Sequence, residues 1–318
     1  MNARRAIASG ARSQLALWTA RAASRSSRLW RQRGLGTIFL KLQGLRAFRG
    51  AECTVEFAPD CFFHLPVFEP YWGPTVIGGR PFEPEVVHLL HAVRELRPVL
   101  VDCGANYGYY SVLATGPAYG YAGALAIEAN PATYARLREN ARLNANRFET
   151  QNLALSARSG ETVSLSSTEH HAVTHVNVGG AAEDGAGPGA VEVTTVTIPD
   201  ALAKCGLDTA ERYVLKLDVE GQEIAALEGS RAWRDGTDHL IVYEDWADSG
   251  FETTAALLAE DYPVFFVRKD GRVHRVTSTD EALRVISLDG KVSRSCNFAA
   301  TKRGGAFEAK LAGALTHA

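Results

Sequence analysis

The apolar run Val99, Leu100, Val101, Asp102 and Cys103 ends at Gly104, and a second glycine, Gly108, follows four positions later. Glycines so spaced let a backbone bend tightly and let a ligand approach it, and the amides freed where a helix begins attract polar or anionic groups. A dinucleotide site would read G-x-G-x-x-G, its middle glycine making room for a pyrophosphate. The spacing here is G-x-x-x-G, so the ligand it implies lacks a diphosphate. Glu128 lies 24 residues beyond Gly104 (128 − 104), near the offset of about 20 at which an acid takes the ribose hydroxyls of a nucleoside cofactor. It could equally be the acid of a helix start ahead of Asn130 and Pro131. Farther along, Asp218 and Glu220 follow one apolar run, and Glu244 and Asp245 another that begins at His239. In extended chain Asp218 and Glu220 share a side, because side chains alternate with a period of two. Carboxylates there can take a proton from an alcohol, as could Glu244 or His239. Capping of a helix from Ile224 to Leu227, with Glu223 contributing, is the structural alternative.

For these residues to meet, the apolar runs must be parallel strands with their carboxyl ends along one edge, where ligands bind in open α/β sheets. The pattern supplies strands at 99–103, 122–128, 148–155, 213–217 and 239–243, with helices at 83–97, from 109 to about 114, and at 131–143. A ribbon after 156–160 leads to a strand at 191–198, and a short helix covers 200–204. A helix at 253–260 and antiparallel strands at 264–267 and 273–276 follow, and residues 297–301 close the pattern. Lys216, inside an otherwise apolar strand, requires a nearby acid. Residues 51–82 read as short strands or a hairpin rich in aromatics, Tyr71 and Trp72 among them. They form either a flap over an acceptor pocket or a β-element packed on the sheet. The domain is expected over 83–305, with a basic extension at 1–50 and a loose tail at 306–318.

Asp102-Cys103-Gly104-Ala105-Asn106-Tyr107-Gly108, then Ile127-Glu128-Ala129-Asn130-Pro131, then Leu215-Lys216-Leu217-Asp218-Val219-Glu220-Gly221-Gln222-Glu223, in that order, resemble the FkbM family of S-adenosylmethionine-dependent methyltransferases. The resemblance runs from about Phe82 to about Asp245. Where the family commonly reads F-E-P after the second strand, this chain reads Ile127-Glu128-Ala129, keeping the acid without its neighbours. The resemblance implies a Rossmann-like class I methyltransferase sandwich, a mostly parallel seven-stranded α/β sheet with helices on both faces. It also implies S-adenosyl-L-methionine as cofactor, held by Asp102, Gly104, Ala105, Asn106, Gly108, Glu128 and Asn130, with Leu153 and Ala154 where an adenine ring would rest. Asp218 and Glu220 are the expected catalytic pair, acting on a hydroxyl of a sugar, glycolipid or secondary metabolite. Two other classes are a nicotinamide-dependent oxidoreductase, disfavoured by the glycine spacing, and a non-catalytic binding module on the same fold.

Residues 1–51 carry ten Arg and one Lys without an acid, so the remainder holds 34 − 11 = 23 bases against 36 acids, a body near −13. Such a body repels phosphate backbones, which argues against a nucleic-acid acceptor and for a small molecule or glycan. The basic head, with Leu15, Trp18, Ala22 and Leu29 beside Arg21, Arg25 and Arg28, reads as a solvated extension, a transit-like leader, or a helix on an anionic membrane surface. Five scattered cysteines without a C-x-x-C pair fit a reducing cytosol. No run is long enough for a spanning helix. His170, His171 and His175 invite a metal, but their glycine-rich surroundings lack cysteines or clustered acids, and no metal is expected.

Overall fold

The computed structural model describes residues 5–29, 35–79, 82–167, 174–177, 191–289 and 295–314. His170 and His171, two of the histidines weighed and set aside as metal ligands, lie outside them.

The central sheet has strands β1 (Val99–Cys103), β2 (Gly123–Ile127), β3 (Glu149–Gln151), β4 (Arg212–Leu217), β5 (Asp238–Trp246), β6 (Val264–Val267), β7 (Val273–Val276) and β8 (Ser295–Thr301). They lie in the order β7, β6, β8, β5, β4, β1, β2, β3. β1 to β5 pair in parallel, whereas β8 runs antiparallel to both β5 and β6 and β7 antiparallel to β6. This is the mostly parallel α/β sandwich expected, its seven strands extended by β7 as an eighth.

Burial on both faces explains why β1 and β4 read as continuous apolar runs. Val99, Val101 and Cys103 of β1 and Tyr213, Leu215 and Leu217 of β4 enter one core, while Leu100 and Val214 enter the other. Asp102 and Lys216 have the parity of the second face and are register partners on adjacent strands, and the acid that pairs with the buried lysine is Asp218, just beyond the end of β4. The chain leaves β1 toward β2 on one side and returns as β4 on the other, so the carboxyl edge opens into a crevice between them.

A second sheet joins Arg5–Ile7, Glu52–Ala58 and Cys61–Pro66, all antiparallel. Its outer strand is closed off by helix Pro131–Leu143 and the residue after it: Asn140 Oδ1 accepts from the His64 amide at 2.7 Å and Asn144 Oδ1 from the Phe62 amide at 2.9 Å. The described residues of the basic head are part of this body, not a solvated extension. Helix Gly10–Leu29 buries Ala16, Leu17 and Ala20. The tail expected to be loose also folds, as helix Ala306–Ala312 with Phe307 and Leu311 buried. Among the described residues no helix is long and apolar enough to cross a membrane.

Candidate active site

Gly104, at φ 75°, opens the turn after β1, and a Cβ added there would lie 1.8 Å from the Asp218 carbonyl oxygen. Only glycine lets the ends of β1 and β4 come so close. The turn is tied to β2 by the Gly104 and Ala105 amides, both donating to the Ile127 carbonyl at 2.9 Å. Glu128 completes it: Oε2 accepts from the Asn106 amide and Oε1 from the Asn130 amide, each at 2.9 Å. Burial pushes the Glu128 carboxyl up to about 7 against the pull of those two amides, and Asp218 and Asp102 add to the rise.

A cavity of about 580 Å³ runs along the carboxyl edge. At the β1–β3 end its wall is Gly104, Ala105, Asn106, Glu128, Leu153 and Ala154; at the β4–β5 end it includes Asp218, Glu220, Glu244 and Trp246. Tyr71, Trp72, Phe82 and Glu83 enter the same cavity from the N-terminal element. Two expected cofactor residues stand away from the wall. Gly108, at φ 88°, is required because a Cβ would meet Leu137 Cδ1 at 2.7 Å. Asn130 caps helix Pro131–Leu143, its Oδ1 accepting from the Ala132 amide at 2.9 Å.

Acids dominate the β4–β5 end. Lys216 Nζ lies 2.7 Å from Asp218 Oδ2 and 5.1 Å from the centre of the Tyr110 ring. Burial works against its charge, but Asp218, Glu83 and Asp102 together outweigh burial and hold the ammonium above its ordinary range. Glu220 adopts a left-handed φ of 50°, and burial followed by the charges of Asp218, Glu244 and Glu223 pushes its carboxyl up to about 7. Glu83, also left-handed at φ 37°, accepts a hydrogen bond from the Tyr110 hydroxyl, and burial raises its carboxyl. Glu223 Oε1 accepts from the Val219 amide at 3.0 Å, so this acid does tie the loop before helix Glu223–Asp235.

Tyr71 and Trp72 belong to the aromatics read as a flap or a packed β-element, but sequence reasoning missed Phe82 and Glu83 as part of this wall. A clue was available in Glu83-Pro84, because proline at a first helical turn puts the preceding residue outside the helix. His239 is a correction. It stands at the start of β5, not at its carboxyl end, fully buried, with Nε2 3.0 Å from the Tyr262 hydroxyl and Nδ1 3.2 Å from the Thr237 carbonyl. Strand-end reasoning placed it at the wrong end, so it is removed as a proton acceptor. Among the described residues no group of three or more His, Cys, Asp or Glu is placed to hold a metal ion.

The residues fit the cofactor that the sequence motifs imply. Asp102 borders the cavity and accepts from the Ser111 hydroxyl at 2.7 Å through Oδ2, while its buried Oδ1 has no hydrogen-bond partner. That unmatched acceptor suits an amino group, Glu128 suits a diol, and the Leu153–Ala154 wall suits an aromatic base.

A mostly parallel sheet of this order with a cavity along its carboxyl edge is the class I methyltransferase fold. Residues 102–257 match the model of the Methyltransferase FkbM domain, the family whose motifs the sequence resembles. Among solved structures it is similar to an FkbM methyltransferase from Methylobacillus flagellatus KT, at 14% identity over 74% of this chain and 54% of that chain, TM-score 0.38. This chain thus matches about half the length of that one. It is also similar to a precorrin-6y C5,15-methyltransferase from Geobacter metallireducens GS-15, at 11% identity over 69% of this chain and 87% of that chain, TM-score 0.36. A third likeness is to M. jannaschii TYW2 in complex with AdoMet, at 14% identity over 76% of this chain and 81% of that chain, TM-score 0.36. Likenesses of this size carry nothing about substrate. No curated protein matches the chain.

Proposed function

We propose that this protein is an S-adenosylmethionine-dependent methyltransferase that O-methylates a hydroxyl of a sugar, glycolipid or secondary metabolite. The cofactor lies at the β1–β3 end and the acceptor at the β4–β5 end. When bound, S-adenosylmethionine supplies an electrophilic methyl group on a cationic sulfur. The chain contributes alignment and a destination for a proton, and alignment is the larger part of such a displacement. Asp102, Gly104 and Glu128 hold the donor. Glu220 takes the hydroxyl proton onto its carboxylate, and Asp218, fixed by Lys216, accepts a hydrogen bond that orients the hydroxyl.

The observation that carries this reading is Glu220 itself. A non-glycine residue held in a left-handed conformation on a cavity wall stores strain of the kind found at functional sites. Its carboxyl, at about 7, is poised for general-base work near neutrality. The rest of the wall favours a hydroxyl over an anion. Glu83, Asp218, Glu220 and Glu244 repel phosphates and carboxylates but accept hydrogen bonds from alcohols, and Tyr71, Trp72, Phe82 and Trp246 offer apolar surface to a ring.

Calorimetry with S-adenosylmethionine and with NAD tests the class, and binding of NAD alone would remove it. With an acceptor found on a panel of neutral glycosides, single-turnover methyl transfer by Glu220→Gln should slow by about 10² to 10⁴ with donor affinity kept. A parental rate in that variant would show that the proton goes elsewhere.

A further inference from the structure

Helix Gly10–Leu29 has two unlike faces. Ser13, Ala16, Leu17, Ala20 and Ser24 are buried against the body, while Leu15 and Trp18 on the opposite side are 57% and 69% exposed. Ala22, one turn beyond Trp18, is exposed with them. In the segments that follow, exposed apolar side chains flank a buried one. Phe39 is fully buried, but Ile38, Leu40 and Leu45 stand exposed, as does Ile7 at the end of the first strand. Of the twelve large hydrophobic side chains exposed among the described residues, six belong to this head. Interleaved with them are exposed Arg12, Lys41, Arg46 and Arg49, and residues 1–51 contain no acid.

Scattered apolar side chains need no explanation, but their concentration on one basic segment does. An apolar face with a tryptophan, flanked by bases and without acids, suits the boundary between anionic headgroups and acyl chains. A purely electrostatic partner such as RNA would leave Leu15, Trp18 and Ile38 in water. The body beyond residue 51, near −13, is repelled by an anionic leaflet and would turn away from it, so charge alone orients the approach.

The head is also a firm part of the molecule. Arg5–Ile7 adds a strand to Glu52–Ala58, and the Phe39 ring closes over Gly73, where a Cβ would lie 2.6 Å from it. Gly73 directly follows Tyr71 and Trp72, which line the cavity.

We propose that the exposed apolar side chains of the basic head, Leu15 and Trp18 on one helix face and Ile38 and Leu40 on either flank of the next helix, dock this protein with their neighbouring bases on an anionic lipid surface. The inference is independent of what the enzyme methylates. It is tested on the full chain by co-sedimentation with phosphatidylcholine vesicles, with vesicles containing one quarter phosphatidylglycerol, and with poly(U) in place of lipid. Binding is expected only to the anionic vesicles, weakening as salt rises. Two variants separate the contributions: Leu15→Ser with Trp18→Ser removes the apolar contact, and Lys41→Glu with Arg46→Glu reverses charge. Each should weaken vesicle binding by about tenfold or more, with thermal unfolding and donor binding unchanged because these side chains are exposed. Failure of the parent to bind anionic vesicles at low salt overturns the proposal. So does tighter binding to poly(U) than to lipid, or parental binding by both variants.

Discussion

At the β1–β3 end the cavity wall is largely backbone: the Gly104 turn, the amides on the Ile127 carbonyl, and Glu128 holding the amides of Asn106 and Asn130. At the β4–β5 end it is side chains, acids and aromatics drawn from residues 71–83 and 218–246. Backbone geometry recognises what is constant in a reaction, and side chains can be exchanged without disturbing a sheet. The contrast therefore agrees with one end serving a fixed donor and the other a particular acceptor.

The largest effect should come from breaking the place where the two ends touch. Gly104→Ala puts a Cβ against the Asp218 carbonyl at 1.8 Å and forces alanine into a left-handed backbone. A loss of roughly 3 kcal/mol or more in unfolding free energy is expected, with donor affinity lost too. Denaturant titration and calorimetry check both, and a near-parental Gly104→Ala protein would show that the strand ends can separate freely.

Glu128→Ala should act on the donor end alone. It removes hydrogen bonds to a charged acceptor, so affinity for S-adenosylmethionine should fall about ten- to a hundredfold. Acceptor binding measured with a non-reactive analogue should persist. Equal loss of both ligands would mean that the two ends are not separate.

The pH dependence joins the ends again. Glu128 and Glu220 both titrate near 7 in the folded protein against an ordinary 4.5. Between those values the folded chain holds protons that the unfolded chain has released, so their contribution to stability is present at low pH and falls as pH rises through this window. Melting temperatures of the ligand-free protein from pH 5 to 8 should show that slope. Glu128→Gln and Glu220→Gln should each remove part of it, and an unchanged slope in both would place the titration elsewhere.

The smallest effect isolates conformation from contact. Gly221 is left-handed at φ 91° but has nothing within 4 Å of an added Cβ. Gly221→Ala should therefore cost about 1 kcal/mol, and a loss as large as that of Gly104→Ala would show that crowding is not what distinguishes the two positions.

Local patterns were legible in the sequence. Alternation and apolar runs placed β1, β2, β4 and β5, and helix Pro131–Leu143, because burial on two faces or one leaves a period in the chain. Glycines that need positive φ and acids that end strands announced the turn after β1 and the loop after β4. The single strand expected over 148–155 instead divides between two sheets, as Glu149–Gln151 and Ala154–Leu155, since pairing partners are not written in a strand's own pattern.

Sequence alone thus determined the α/β class, the glycine turn, and Asp102, Glu128, Asp218 and Glu220 as residues at strand ends, because each follows from short-range period and backbone conformation. Tertiary structure alone decided which residues meet. It set Lys216 beside Asp102 and bound it to Asp218, turned His239 to the far edge, and brought Tyr71, Trp72 and Glu83 into the cavity. It also chose which face of helix Gly10–Leu29 stays in water. These outcomes depend on strand order and on contacts between segments far apart in the chain, and a linear pattern of apolar and polar residues carries the period of an element but not the identity of its neighbour.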